Sequence, residues 1–181
     1  MHIQLRPCQP SDKVALWSSY RAAFQPIIQA QFGGWDEREQ EAAFMRRMTH
    51  NGFLCIWLNG QLIGAIRVDW NTNPVVLSDI WLDPAYHRRG IGKHLVRWVC
   101  NKARAAQCEV QLAVFFSNPA ARLYARLGFQ IVGKTQYQYL MRTDTANALK
   151  NAGSADGSGI GVEALTDAEP AVAAVQRGCA Q

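Results

Sequence analysis

Seven consecutive residues, His87-Arg88-Arg89-Gly90-Ile91-Gly92-Lys93, combine three positive side chains with two glycines. The apolar positions that begin inside this stretch, Ile91, Leu95, Trp98, Val99 and Ala103, recur at helical spacing. The first turn of such a helix has backbone N–H groups without an intrahelical acceptor, and the helix dipole adds partial positive charge there. Gly90 can take left-handed backbone angles, and neither glycine has a side chain to block an anion. Arg88, Arg89 and Lys93 supply full charges. The chemistry is that of a phosphate cradle. The spacing is not the Walker type, which needs four residues between its glycines and then Gly-Lys-Ser/Thr. Nor is it Gly-x-Gly-x-x-Gly, because position 95 is Leu.

The elements that hold this loop are legible on both sides. Ser78 to Leu82 alternates short polar and apolar residues and stops at Asp83-Pro84, a turn-starting pair. The order is therefore strand, turn, glycine-bearing loop, helix. Further on, Asn118-Pro119 opens a second helix, with Asn as cap and Pro at the first helical position. That helix runs to Leu127 and stops at Gly128.

The stretch His87 to Gly92 resembles motif A of the GNAT superfamily of acyl-CoA-dependent N-acetyltransferases, written Gln/Arg-x-x-Gly-x-Gly/Ala. His87 departs from the usual first residue. The stretch Asn118 to Gly128, NPAARLYARLG followed by Phe129, resembles motif B of the same superfamily. The motifs stand in the family's order, one helix and one strand apart. The resemblance covers residues 77 to 133 in motif and about 1 to 143 in architecture. It implies a mixed α/β (α+β) fold with a mostly antiparallel central sheet flanked by helices. It also implies transfer of an acetyl group from acetyl-CoA to a primary amine of a small molecule or peptide. The backbone amides of His87, Arg88, Arg89, Gly90, Ile91, Gly92 and Lys93 would bind the cofactor's pyrophosphate. Ile80, Trp81 and Leu82 would hold its pantetheine arm along the strand edge. Asn118 has a helix-capping role of its own, and the resemblance adds a cofactor contact. Tyr124 takes the position of the family's general acid beside the sulfur.

The proton acceptor is less determined. Ribosomal-protein N-terminal acetyltransferases of the superfamily carry a glutamate on the strand before motif B, and the matching residue here is Ala113. Asp79 is the local substitute, next to the acyl-binding residues and on the same strand face as Trp81. Asp69 is a second candidate, and a water chain or an already neutral amine a third. Ala113 also supports an alternative in which the chain is a non-catalytic acyl-CoA-binding module. Asp36, Glu37, Glu39 and Glu41 cluster at a predicted helix start, where acids are favoured anyway. With Phe32 and Trp35 they could receive a cationic amine.

Composition bounds the rest. The 181 residues, 49% of them apolar and 18% charged, predict a globular protein with a sizeable core. Apolar runs such as Phe53 to Leu58 are too short to span a bilayer. No apolar signal core follows Arg6, so the expectation is a cytoplasmic protein without membrane association. Five scattered cysteines without metal-ligand spacing predict free thiols and no metal site. The net charge of +5 divides into +8 over the first 143 residues and −3 beyond. A basic domain suits a polyanion. Coenzyme A fits, whereas a nucleic-acid partner would need a recognition helix or stacking motif that is not seen. A homodimer is compatible with the sequence.

In chain order, the patterns predict β-α-α-β-β-β-α-β-α-β-β. The first helix follows Ser11 or Asp12, with Val14, Trp17, Tyr20, Ala23 and Phe24 on one face and Pro26 threatening its second half. Asp36 with Glu39 marks a capping box. Asn59-Gly60 predicts a hairpin. From Asp144 the composition changes, and Asn151 to Gly161 reads as a Gly/Ser/Ala linker before a weak helix over Leu165 to Gln176. The expected organisation is a catalytic domain over 1–143 and a flexible, low-complexity tail over 144–181.

Overall fold

The computed structural model describes residues 2–143 and 161–164. The chain runs β1 (His2–Pro7), α1 (Lys13–Phe32), α2 (Glu37–Arg47), β2 (Phe53–Leu58), β3 (Gln61–Asp69), β4 (Val75–Leu82), α3 (Ile91–Ala105), β5 (Val110–Phe115), α4 (Ala120–Arg126), β6 (Phe129–Lys134), β7 (Gln138–Thr143) and β8 (Gly161–Ala164). Through β7 this is the expected order. The strands form one sheet, β6-β7-β5-β4-β3-β2-β1-β8. Among the described strands, only β4–β5 and β1–β8 pair in parallel. On one face, α3 packs Leu95, Val96 and Val99 onto Ile3, Ile66 and Leu112 of the sheet. On the other, Leu16 and Tyr20 of α1 and Phe44 of α2 meet Phe53, Ala65 and Trp81.

Local chemistry explains most element ends. Asp36 Oδ1 accepts from the Glu39 backbone N–H at 3.0 Å and caps α2. Asn59 and Gly60 both have positive φ, 50° and 79°, as a type I′ hairpin turn requires. A proline inside a helix costs about 3 kcal/mol, yet α1 passes through Pro26 to Phe32. Tertiary contacts outweigh that cost. Ile28 is buried, Gln31 Nε2 donates to the Tyr137 carbonyl at 2.8 Å, and Gln31 Oε1 accepts from the Ser117 backbone N–H at 3.1 Å. The inward face of α1 differs from the expected one at its start. Val14 is 77% exposed, whereas Tyr20 is buried and Trp17, Ala23 and Phe24 pack against the same cluster as expected; Leu16, Ser19 and Ile28 are buried as well.

The tail departs from a plain linker. Gly161 begins β8, which pairs with β1 from His2↔Gly161 to Leu5↔Ala164. Val162 and Ala164 pack against the main core, and His2 Nε2 lies 3.0 Å from Glu163 Oε2. Four residues reading Gly-Val-Glu-Ala are too few for periodicity to reveal a strand. The helix expected over Leu165–Gln176 lies outside the described residues. Cys8, Cys55 and Cys100 are free thiols. Cys108 is disulfide-bonded, which corrects the expectation of five free thiols. No described helix is long and apolar enough to cross a membrane.

Candidate active site

The site begins as a defect in the sheet. β3 and β4 pair as Arg67↔Asp79 and then as Val68↔Leu77, so Ser78 is an extra residue on β4. A bulge bends its strand and increases its twist. On the other edge of β4, pairing with β5 extends only from Val75↔Val110 to Leu77↔Leu112. Beyond the bulge, Ser78–Leu82 and Ala113–Phe115 no longer pair with each other. The split leaves one edge of β4 open to an extended ligand that carries its own amides. A cavity of about 1250 Å³ occupies the split and is lined from both faces of the sheet.

Ile80, Trp81 and Leu82 all lie along that open edge, but their side chains diverge. Ile80 and Leu82 pack into the main core. Trp81 turns to the opposite face, where its Nε1–H donates to Ser19 Oγ at 3.0 Å within a cluster of Tyr20, Phe44 and Phe53. Any contact Trp81 makes with a cofactor would therefore come from its backbone.

The basic loop follows directly. Gly90 has φ 81° and is the N-cap of α3, with no side-chain cap. The first N–H bonded within this turn is that of His94, to the Gly90 carbonyl, so the amides of Ile91, Gly92 and Lys93 point out of the helix start. Arg88 has φ 60°, a conformation that costs a non-glycine residue energy. His87 Nε2–H donates to the Leu82 carbonyl at 2.9 Å and ties the loop to the end of β4. His94 Nδ1–H donates to the Gly90 carbonyl at 2.8 Å. The Arg89 guanidinium lies over the Tyr86 ring, 5.2 Å from its centroid. A Cβ on Gly92 would meet Leu123 at 3.7 Å and Leu82 at 3.9 Å, so this glycine faces the gap between β4 and α4. Backbone amides directed out of the helix start, a left-handed glycine and adjacent cations fit a pyrophosphate.

Asp79 and Tyr124 line the same cavity from opposite faces. Asp79 Oδ1 accepts from Arg47 Nη1 at 2.9 Å, and the Asp79 side chain is only 9% exposed. Burial pushes the carboxyl's pKa above the ordinary value, while Arg47, Arg67 and His50 oppose that rise. Tyr124 is buried against Phe129, and burial raises its phenol to about 12. Asn118 also lines the cavity, and its Oδ1 accepts from the Ala120 N–H at 2.9 Å; the N-cap of α4 is Pro119 and not Asn118, so the helix starts one residue later than expected and Asn118 braces the turn before it. Ala113 reaches the cavity with a methyl group only. Asp69 does not line it; its side chain accepts from the Asn71 N–H in the turn after β3.

The structure adds residues that the sequence did not single out. Arg47 is 32 positions from its partner Asp79, and no local pattern links them. Arg46, Arg67 and His50 line the cavity beside this pair, and Tyr20 lines the α1 wall. Burial raises the Tyr20 phenol above its ordinary value. Phe32 and Trp35 line it as expected, but within the acidic cluster only Asp36 and Glu39 do. Glu37 is instead tied to Arg21 at 3.1 Å and to Trp35 Nε1 at 2.8 Å.

A family model for the acetyltransferase (GNAT) family matches residues 15–129. The chain belongs to the GNAT family. It is an N-acetyltransferase that moves an acetyl group from acetyl-CoA to an amine. Among curated relatives, the N-alpha-acetyltransferase RimI of Mycobacterium tuberculosis is 34% identical over 119 residues, covering 62% of this chain and 74% of the relative. The PaiA N-acetyltransferase of Thermoplasma acidophilum, solved in complex with coenzyme A, superposes with a TM-score of 0.60. It has 21% identity and covers 80% of this chain and 99% of its own. The apo form of YjaB from Escherichia coli gives a TM-score of 0.61 at 16% identity, covering 78% and 96%. These last two likenesses concern the fold. This GNAT chain therefore has the family's sheet, split between β4 and β5 and closed at one end by the basic loop.

Proposed function

We propose that the acceptor amine enters from the α1–α2 face of the split, and that Asp79 and Tyr124 handle the two protons of the reaction. The observation that carries this reading is the single cavity shared by both side chains from opposite sheet faces. The likeness to an N-alpha-acetyltransferase supports an α-amine as acceptor. The loop from His87 to Lys93 holds the cofactor's phosphates, and the open edge at Ile80, Trp81 and Leu82 orients the arm. Asn118 fixes the start of α4 and faces the cofactor. When bound, acetyl-CoA supplies an activated thioester. The chain's own residues do the rest. The amine must lose a proton, and Asp79 accepts it directly or through water. Its buried, raised carboxyl is a stronger base than an exposed one, which suits work near neutral pH. The departing sulfur must gain hydrogen-bond support or a proton. Tyr124, at about 12, stays protonated throughout the physiological range. A dry pocket also raises the basicity of a thiolate, which narrows the gap between donor and acceptor.

Tyr124→Phe tests this reading because it removes only the hydroxyl. Turnover should fall about 10-fold or more, as loss of a positioned acid does. Acetyl-CoA affinity should barely change, because the lost interaction belongs to the transition state. Free-thiol release gives the first quantity and calorimetry the second. A Phe variant with parental turnover would make Tyr124 a packing residue.

A further inference from the structure

Resting on the acetyltransferase reading, we infer that the acceptor carries a carboxylate close to its reacting amine, and that Arg46 and Arg67 receive it. The α1–α2 half of the cavity is electrically divided. One face of α2 lines it, with Asp36 and Glu39 in or before the first turn and Arg46 and Arg47 in the last. Glu39 and Arg46 are seven residues apart, roughly 10 Å along the helix. Arg67 of β3 reaches the basic end from the sheet, in register with Asp79 of β4. At that end, Arg47 pairs with Asp79, Arg67 stands opposite it in register, and Arg46 lines the same cavity.

Asp79 is already matched by Arg47 at 2.9 Å. Arg46 and Arg67 have no carboxylate within ion-pair distance among the described residues. The guanidinium of Arg67 lies over Phe53, 5.5 Å from the ring centroid, and leaves its N–H fork available. Converging guanidinium groups repel one another, and a carboxylate that accepts their paired N–H donors relieves that repulsion. The cofactor's phosphates belong at the helix start of α3, on the opposite face of the sheet, so they are not the missing anion. The acceptor is what enters on this side. Because Arg67 and Asp79 are opposite one another on adjacent strands, the anion sits near the reacting amine and not at a remote mouth. Two acceptor types meet that description: a free amino acid through its α-carboxylate, and a peptide N-terminus through an acidic side chain in its first residues.

The test compares matched acceptors by thiol release from acetyl-CoA, with rates expressed per neutral amine. L-serine against serinamide reports the α-carboxylate. A Ser-Glu peptide amide against its Ser-Gln counterpart reports the side chain. In the parent, one carboxylate acceptor should exceed its amide by about 10-fold or more in kcat/KM, and the winning pair identifies the source. In Arg46→Gln and Arg67→Gln that acid-to-amide ratio should collapse toward one; the ratio is the quantity read, because Arg67 also acts on the Asp79 carboxyl and its loss changes acid and amide rates alike. Equal rates for acid and amide in both parental pairs would overturn the inference and leave the acetyltransferase reading intact. If none of the four is turned over, binding of the corresponding N-acetylated products is measured by calorimetry in the presence of coenzyme A. Carboxylate-selective binding that is lost in the Gln variants supports the subsite. Indifference to the carboxylate, or no binding by any product, overturns it.

Discussion

Asp79 is pulled in two directions. Burial disfavours its charged form, and the nearby cations, Arg47 first, favour it. The balance leaves its pKa raised, and the sign of each influence can be tested separately. If Asp79 accepts the amine proton, kcat/KM falls on the acid side as Asp79 becomes protonated. Arg47→Gln removes the largest influence that keeps the carboxyl ionised. Its pKa then climbs further, and the acid limb should move to higher pH. Asp79→Asn should remove this limb and leave only the acceptor's own ionisation. A pH–rate profile on all three proteins measures this. An acid limb that stays in place in Arg47→Gln would assign the proton to water or to the amine itself.

At the scale of elements, two glycines on the strands and helices around the split are informative. Gly64 lies in β3 beside a second irregularity, where Ile56↔Gly64 is followed by Trp57↔Leu62. A Cβ on Gly64 would sit 2.1 Å from the Trp81 carbonyl oxygen and 3.0 Å from Leu82 Cα. Those are backbone atoms of the site strand and cannot rotate away. Gly64→Ala should therefore cost about 3 kcal/mol, whereas Gly34→Ala, with nothing within 4 Å, should change stability little. Urea unfolding of both variants decides this. Gly92 differs because its neighbours are side-chain tips at ordinary contact distance. Gly92→Ala should fold normally. Gly92→Asp places a negative charge at the cradle, and calorimetry should show strongly weakened acetyl-CoA binding. Parental affinity in the Asp variant would remove the loop from cofactor recognition.

For the whole molecule, the question is how much residues beyond Thr143 contribute. Residues 2–143 contain all four of the described helices and both halves of the split, so a chain ending at 143 should still fold. It should not be as stable as the parent. Removing β8 bares the edge of β1 and takes Val162 and Ala164 off the core. Each kcal/mol is worth about 2–4 °C for a chain of this size. A loss of roughly 3–8 °C in Tm is expected by calorimetry, with acetyl-CoA binding retained. An unchanged Tm would mean that β8 adds nothing to the core, and an insoluble product would move the domain boundary past 143.

The sequence by itself determined what depends on neighbours along the chain. The helix start at Gly90, the cap at Asp36, the hairpin at Asn59-Gly60 and the strand–loop–helix order are short-range effects of backbone angles and unpaired N–H groups. Family membership was legible for the same reason, since both motifs are contiguous. Only the tertiary structure decided the rest. The bulge at Ser78 and the split beside it depend on pairing across strands far apart in sequence. The passage of α1 through Pro26 depends on Gln31 reaching Ser117 and Tyr137. Trp81 reads like its neighbours on β4, yet its side chain goes to the α1–α2 core because the pleat and the bulge set its face. The pairing of Asp79 with Arg47, and the arginines gathered around it, exist only once α2 is laid across the sheet. Contacts between distant residues are worth their energy only after the chain has closed the loops between them, so no local pattern records them.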